Sequence, residues 1–175
     1  MRPAFRILLS ALVLPVAASP AHARQSYAVT AFVPGTAGVA AAPDPEKLQR
    51  LLAEADEASL NGKEGVAIKL YRSIAATQRE AKEYAGTALW RLAGVQLFQG
   101  KVVDAAATLD ETAQEAARYG DPTMELKATF EAAILWQKAK RNDVAMSHLD
   151  RVRDLLRSPV VDAELKESIQ RRIVQ

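Results

Sequence analysis

The chain has 175 residues, with 23 Lys and Arg, 21 Asp and Glu, two His and no Cys. That length suffices for one domain with a sizeable core. The absence of cysteine excludes disulfides and thiolate chemistry, and charges that alternate in sign along the chain leave no basic stripe to neutralise nucleic-acid phosphates.

Residues 1–23 have the pattern of a secretory leader. Arg2 and Arg6 supply a positive start, Ile7 to Ala18 an apolar run, and Ala21-His22-Ala23 a small-x-small cleavage site. A spanning helix needs about 20 apolar residues, so cleavage is expected rather than anchoring, and without Cys there is no lipid-modified N-terminus. The expected product is soluble, exported across the inner membrane, and periplasmic or extracellular. Loss of Arg2 and Arg6 leaves 21 basic against 21 acidic residues. The pI of about 8.9 thus belongs to the precursor and does not argue for nucleic acid. Residues 24–43, RQSYAVTAFVPGTAGVAAAP, are uncharged after Arg24 and rich in Ala, Gly and Pro. That composition predicts a flexible linker, while the weak alternation from Tyr27 to Val33 leaves a docking strand as the other reading.

Residues 44–175 predict an all-α domain. Asp44-Pro45-Glu46 is a helix start, with Asp as N-cap and Pro where its missing N–H costs nothing. The first helix is expected to bury Leu48, Leu51, Leu52 and Ala55 and to stop at Asn61-Gly62, and the second to bury Val66, Leu70, Tyr71 and Ile74. Arg79 to Glu83 contain neither Gly nor Pro, so the second and third helices are expected to run nearly continuously before bending. In Leu89 to Leu109 a helical face of Leu89, Leu92, Ala93 and Gln96 ends at Gln99-Gly100 and restarts as Val102, Ala105, Ala106 and Leu109. Asp121-Pro122 repeats the start signal. A third pair then runs Met124–Trp136 and Asp143–Leu156, with Asn142 the candidate for a left-handed turn position. After Ser158-Pro159, the amphipathic segment from Val161 to Ile173 puts Leu165, Ile169 and Ile173 on one face, as a cap would.

Small residues recur at fixed offsets through these pairs. Ala55, Ala93 and Ala133 correspond, as do Ala67, Ala105 and Ala145, both sets spaced by 38 and then 40 residues. Tyr71, Leu109 and Leu149 follow the second set by four residues each. This pattern resembles the tetratricopeptide repeat (TPR) family, with Ala55…Gly62…Ala67…Tyr71 and Ala93…Gly100…Ala105…Leu109 as the matching runs and Ala133…Ala145…Leu149 matching without the Gly. It departs from the family in exceeding the usual spacing of about 34 and in placing Leu51, Leu89 and Thr129 where the family has an early Trp. The resemblance implies an α-solenoid of three antiparallel hairpins with a C-terminal capping helix.

It further implies a concave face, lined by the first helix of each pair, that receives a protein or peptide partner. On that face Leu52, Trp90 and Phe130 are equivalent and would form an apolar row. Next to them come Asp56, Gly94 and Ile134, then Leu97 and Gln137, with Arg91 and Lys138 at the margins. The same large side chains would also serve as core, so the row has two readings. Relatives that grip acidic C-terminal peptides carry Lys and Asn where this chain has Leu52, Asp56, Trp90 and Gly94, so that specificity is not implied.

Enzymatic readings find little. Beyond residue 23 a single histidine remains, His148, with no second imidazole to share a metal or an acid–base role. Its neighbour Ser147 points about 100° away on a helix and does not face it. No Gly-rich phosphate loop or calcium loop occurs. The sequence therefore predicts an exported interaction module or scaffold without catalytic residues, metal, cofactor, nucleic acid or membrane insertion after cleavage. The alternative is a structural assembly or homo-oligomerisation subunit of an envelope complex.

Overall fold

The computed structural model describes residues 44–174; the leader read in residues 1–23 and the linker read in 24–43 lie outside the described residues. Every described element is a helix: α1 Pro45–Leu60, α2 Glu64–Glu80, α3 Gly86–Phe98, α4 Val102–Tyr119, α5 Pro122–Lys138, α6 Asn142–Arg157 and α7 Ala163–Val174.

The starts of α1 and α5 follow from their first residues. Asp44 accepts the Glu46 N–H at 3.0 Å and Asp121 accepts the Met124 N–H at 2.9 Å, satisfying amides that have no partner inside the helix. Four of the turns share one closure. The amide two residues past the helix cap donates to the carbonyl five residues back: Lys63 to Ala58, Glu83 to Gln78, Lys101 to Gln96 and Arg141 to Trp136, at 2.7–2.9 Å. Such a closure needs one residue in the left-handed region, which Gly62 and Gly100 supply in two of the turns.

The other two turns correct the sequence reading. The second and third helices do not continue into each other, because Lys82 takes φ +57° and reverses the chain between Glu80 and Gly86. Lys140, not Asn142, holds the left-handed position before α6 at φ +61°, and Asn142 is instead the first residue of that helix. A non-glycine residue in this region costs about 1 kcal/mol. No Gly signal marks either place, and the cost is met by the helix packing on both sides.

From α1 to α6 each helix packs against the next in sequence. Ala55, Ala67, Ala105 and Ala106 have no exposed surface, and Ala93, Ala133 and Ala145 are buried; small side chains there let helix axes approach to about 8–10 Å. Between α1 and α3 lie two clusters, one built on Tyr71 with Leu92 and Val95, the other on Ile74 with Ala88 and Leu89. Trp136, Leu109 and Leu135 anchor the centre of α3 to α6. Leu126, Phe130, Val152, Val161 and Ile169 join α5, α6 and α7.

Two expected core residues are outside. Val66 is exposed, because α2 turns Ala67, Tyr71, Ile74 and Ala75 inward and the residue before Ala67 is rotated off that face. Ile173 is also exposed, so α7 buries Ile169 and packs half-buried Leu165 beside it but leaves its last turn outside. That helix starts at Ala163, after Val161, and Asp162 accepts the Leu165 N–H at 2.8 Å.

Candidate functional site

A groove among the described residues lies between α4 and α6 and is floored by α5. Its volume is about 600 Å³. One wall is Asp110, Ala113, Gln114 and Ala117, at helical spacing along α4; the other is the Asp143 to Arg151 face of α6, including Ser147 and His148. Glu125 and Thr129 rise from the floor. The space exists because Ala113, Ala117 and Ser147 are short.

Among the described residues Asp110, Glu125, His148 and Arg151 each face a partner on another helix, whereas Asp143 pairs only with Arg141 beside it, at 3.7 Å. The Trp136 indole N–H, from α5, donates to Asp110 Oδ2 at 2.9 Å. On the other oxygen, His148 Nε2 stands 3.0 Å from Asp110 Oδ1, at ion-pair distance but out of line for a hydrogen bond. Trp136 is therefore what orients the carboxylate. Arg151 reaches down with Nε and Nη2 to Oε1 of buried Glu125, at 2.8 and 2.6 Å. The Thr129 hydroxyl donates to the Glu125 carbonyl at 2.7 Å. No hydrogen bond links Ser147 to His148 among the described residues. The arrangement offers fixed donors and acceptors along an open channel.

The residues expected to form a partner surface are distributed differently. Asp56 accepts the Tyr71 hydroxyl and pairs with Arg91, so α1, α2 and α3 are tied together at one carboxylate. Burial, and then the Asp56 carboxylate that accepts its hydrogen bond, push the Tyr71 hydroxyl above the ordinary tyrosine range. Leu52 is half-buried against the two clusters between α1 and α3. Trp90 is half-buried, and shares a cavity of about 140 Å³ with Phe130, Lys127, Glu131, Leu165 and Arg172. Phe130 itself is only 3% exposed. It is covered by α7, whose Arg172 guanidinium lies 4.6 Å from the ring centroid and pairs with Glu131. Ile134 is half-buried in the same cluster. Gly94, Leu97, Gln137 and Lys138 are exposed.

The structure thus brings Trp90 to Phe130 and Asp56 to Arg91, and leaves Leu52 apart from the Trp90 cavity. A continuous open row of Leu52, Trp90 and Phe130 does not form, because α7 occupies the Phe130 end. The groove residues Asp110, Gln114 and Arg151 were not singled out from sequence. Their only local signal is four-residue spacing of polar side chains between alanines, which any solvated helix face shows.

No family model matches the sequence, and no curated protein or solved structure shows significant similarity to it.

Proposed function

We propose that the chain is a recognition module that holds an extended segment of a partner protein in the groove between α4 and α6. The architecture behind this reading is an α-solenoid in which α1–α2, α3–α4 and α5–α6 are three TPR-like hairpins and α7 caps the last. Sequential packing from α1 to α6 and the burial of both alanine triplets support it. The exported compartment follows from the leader pattern in residues 1–23.

The observation that carries the binding reading is the open groove of about 600 Å³ built on three helices rather than on loops. A site on rigid helices loses little entropy when it engages a ligand. Asp143, Gln114, Ser147 and Arg151 line it with both acceptors and donors, which suits the alternating N–H and C=O groups of an extended backbone. The surface around Trp90, with Leu97, Gln137 and Lys138, is a secondary contact in this reading.

The test selects binders from a displayed random-peptide library against the purified chain and measures their affinity for variants. Ser147→Trp fills the groove from an exposed position, so it should weaken binding tenfold or more while changing stability by less than about 0.5 kcal/mol. Trp90→Ala should leave affinity per folded molecule nearly unchanged. If Trp90→Ala lowers affinity and Ser147→Trp does not, the partner binds the first-helix face and the groove reading falls.

A further inference from the structure

We propose that the end of the domain carrying the α1–α2, α3–α4 and α5–α6 turns is a contact surface for an anionic lipid membrane. The connections between successive helices are two to five residues long from α1 to α6, and helices that pack side by side across so short a link run antiparallel. Those three turns therefore emerge at one end, and the α2–α3, α4–α5 and α6–α7 connections at the other.

The first end displays the two most exposed large apolar side chains of the described residues, while the opposite end has Val160, 75% exposed. Leu60 is 87% exposed and Phe98 81%. They occupy equivalent places, five residues after Ala55 and Ala93, and the third equivalent is Lys138. Val66 and Val103, each about half exposed, stand at the starts of α2 and α4 beside them. These side chains project from turn tips and do not line a groove.

Charge differs between the two ends in the same sense. Residues 60–66, 97–104 and 137–143 carry five basic side chains against three acidic. Residues 79–86, 118–125 and 157–164, at the opposite end, carry four basic against six acidic. Among the described residues no ion pair engages Lys63, Lys101, Lys138 or Lys140. Protruding apolar tips set among unpaired lysines fit the lipid interface, where lysines meet anionic headgroups and the tips enter the acyl boundary without needing a complementary pocket. A protein partner would have to supply a pocket for each tip. No described helix is long and apolar enough to cross a membrane, so the contact is peripheral.

The chain has no Cys, which makes a single engineered thiol an unambiguous label. An environment-sensitive fluorophore on Gln99→Cys of the full chain, beside Phe98, should shift to the blue with phosphatidylglycerol vesicles and not with phosphatidylcholine vesicles, and the shift should fall with added salt. The same label on Thr87→Cys, at the opposite end, should not respond. In the Gln99→Cys background, Leu60→Ser with Phe98→Ser should abolish the shift, and Lys138→Gln with Lys140→Gln and Arg141→Gln should weaken vesicle binding about tenfold or more. Melting should be unchanged for both sets, because the replaced side chains are exposed. The proposal is overturned if position 99 does not respond to anionic vesicles or if position 87 responds equally, which would mean adsorption through another part of the chain. A shift that tracks protein concentration without vesicles also overturns it, since the edge would then meet a second copy.

Discussion

The gap between α2 and α4 and the gap between α4 and α6 are successive spaces on the same side of the helix stack, yet the first is strapped and the second open. Across the first, Arg79 reaches from α2 to Glu115 at 2.9 Å and to Glu111 at 3.0 Å on α4, leaving about 250 Å³. Across the second no arginine runs from helix to helix; the facing pair there is the shorter His148 and Asp110, 3.0 Å apart, and about 600 Å³ remains. Counting from the alanines that open each second helix, Ala117 stands where Arg79 stands, and Arg151 where Glu111 stands. The long cation has been replaced by a methyl group. The remaining arginine finds its carboxylate, Glu125, in the floor rather than on the opposite wall. A groove in this architecture thus depends less on helix spacing than on whether the long side chains have partners across it or beneath it.

Breaking the scaffold under both gaps has the largest expected effect. Ala105 has no exposed surface and belongs to the cluster that joins α3, α4, α5 and α6. Ala105→Leu should cost about 3 kcal/mol, the upper part of the usual range for overpacking, measured by urea denaturation. Exposed Ala107→Leu, two residues along, is the control and should be nearly neutral. Equal loss from both would mean that the α4 facing is wrong.

Removing the strap comes next. Arg79→Ala leaves Glu115 buried with only Arg118 beside it, at 3.3 Å. The expected cost is about 1–2 kcal/mol, that of a charged acceptor losing its main partner. Arg118→Ala should cost less, because the Arg118 side chain is 66% exposed and exposed pairs contribute about 0–1 kcal/mol. If the two variants unfold at the same urea concentration, the strap is not what distinguishes the first gap.

The smallest effect concerns alkaline stability, and it sharpens the contrast between the first unit and the others. Tyr71 is hydrogen-bonded to Asp56, and its counterparts Leu109 and Leu149 carry no hydroxyl. Burial and Asp56 raise the Tyr71 pKa above its ordinary value of 10.0 in the folded state. Above that ordinary value the unfolded chain releases the proton while the folded chain keeps it. The stability held at lower pH is therefore lost progressively as pH rises beyond about 10. Tyr84, raised by burial and then by Asp121, contributes in the same sense. Tyr71→Phe should flatten the decline, checked by urea midpoints between neutral pH and pH above 10; an unchanged slope would show that Tyr71 is not protected.

What the sequence alone determined is what depends on contacts within a few residues. The helix starts at Asp44 and Asp121, the glycine turns at Gly62 and Gly100, and the inward positions of Ala55, Ala67, Ala93 and Ala105 all follow from caps and from three- and four-residue spacing. What only the tertiary structure decided depends on which helices become neighbours. Lys82 and Lys140 turn the chain where no glycine marks it, because packing on either side offsets a local cost. Phe130 has the same apolar character as Trp90 in sequence, but the return of α7 buries it. The partners that shape the two gaps are far apart in the chain: Arg79 and Glu115 by 36 residues, Trp136 and Asp110 by 26, Arg151 and Glu125 by 26. Helical periodicity spans a turn or two, so it carries the face a residue lies on but not the residue it meets across a gap.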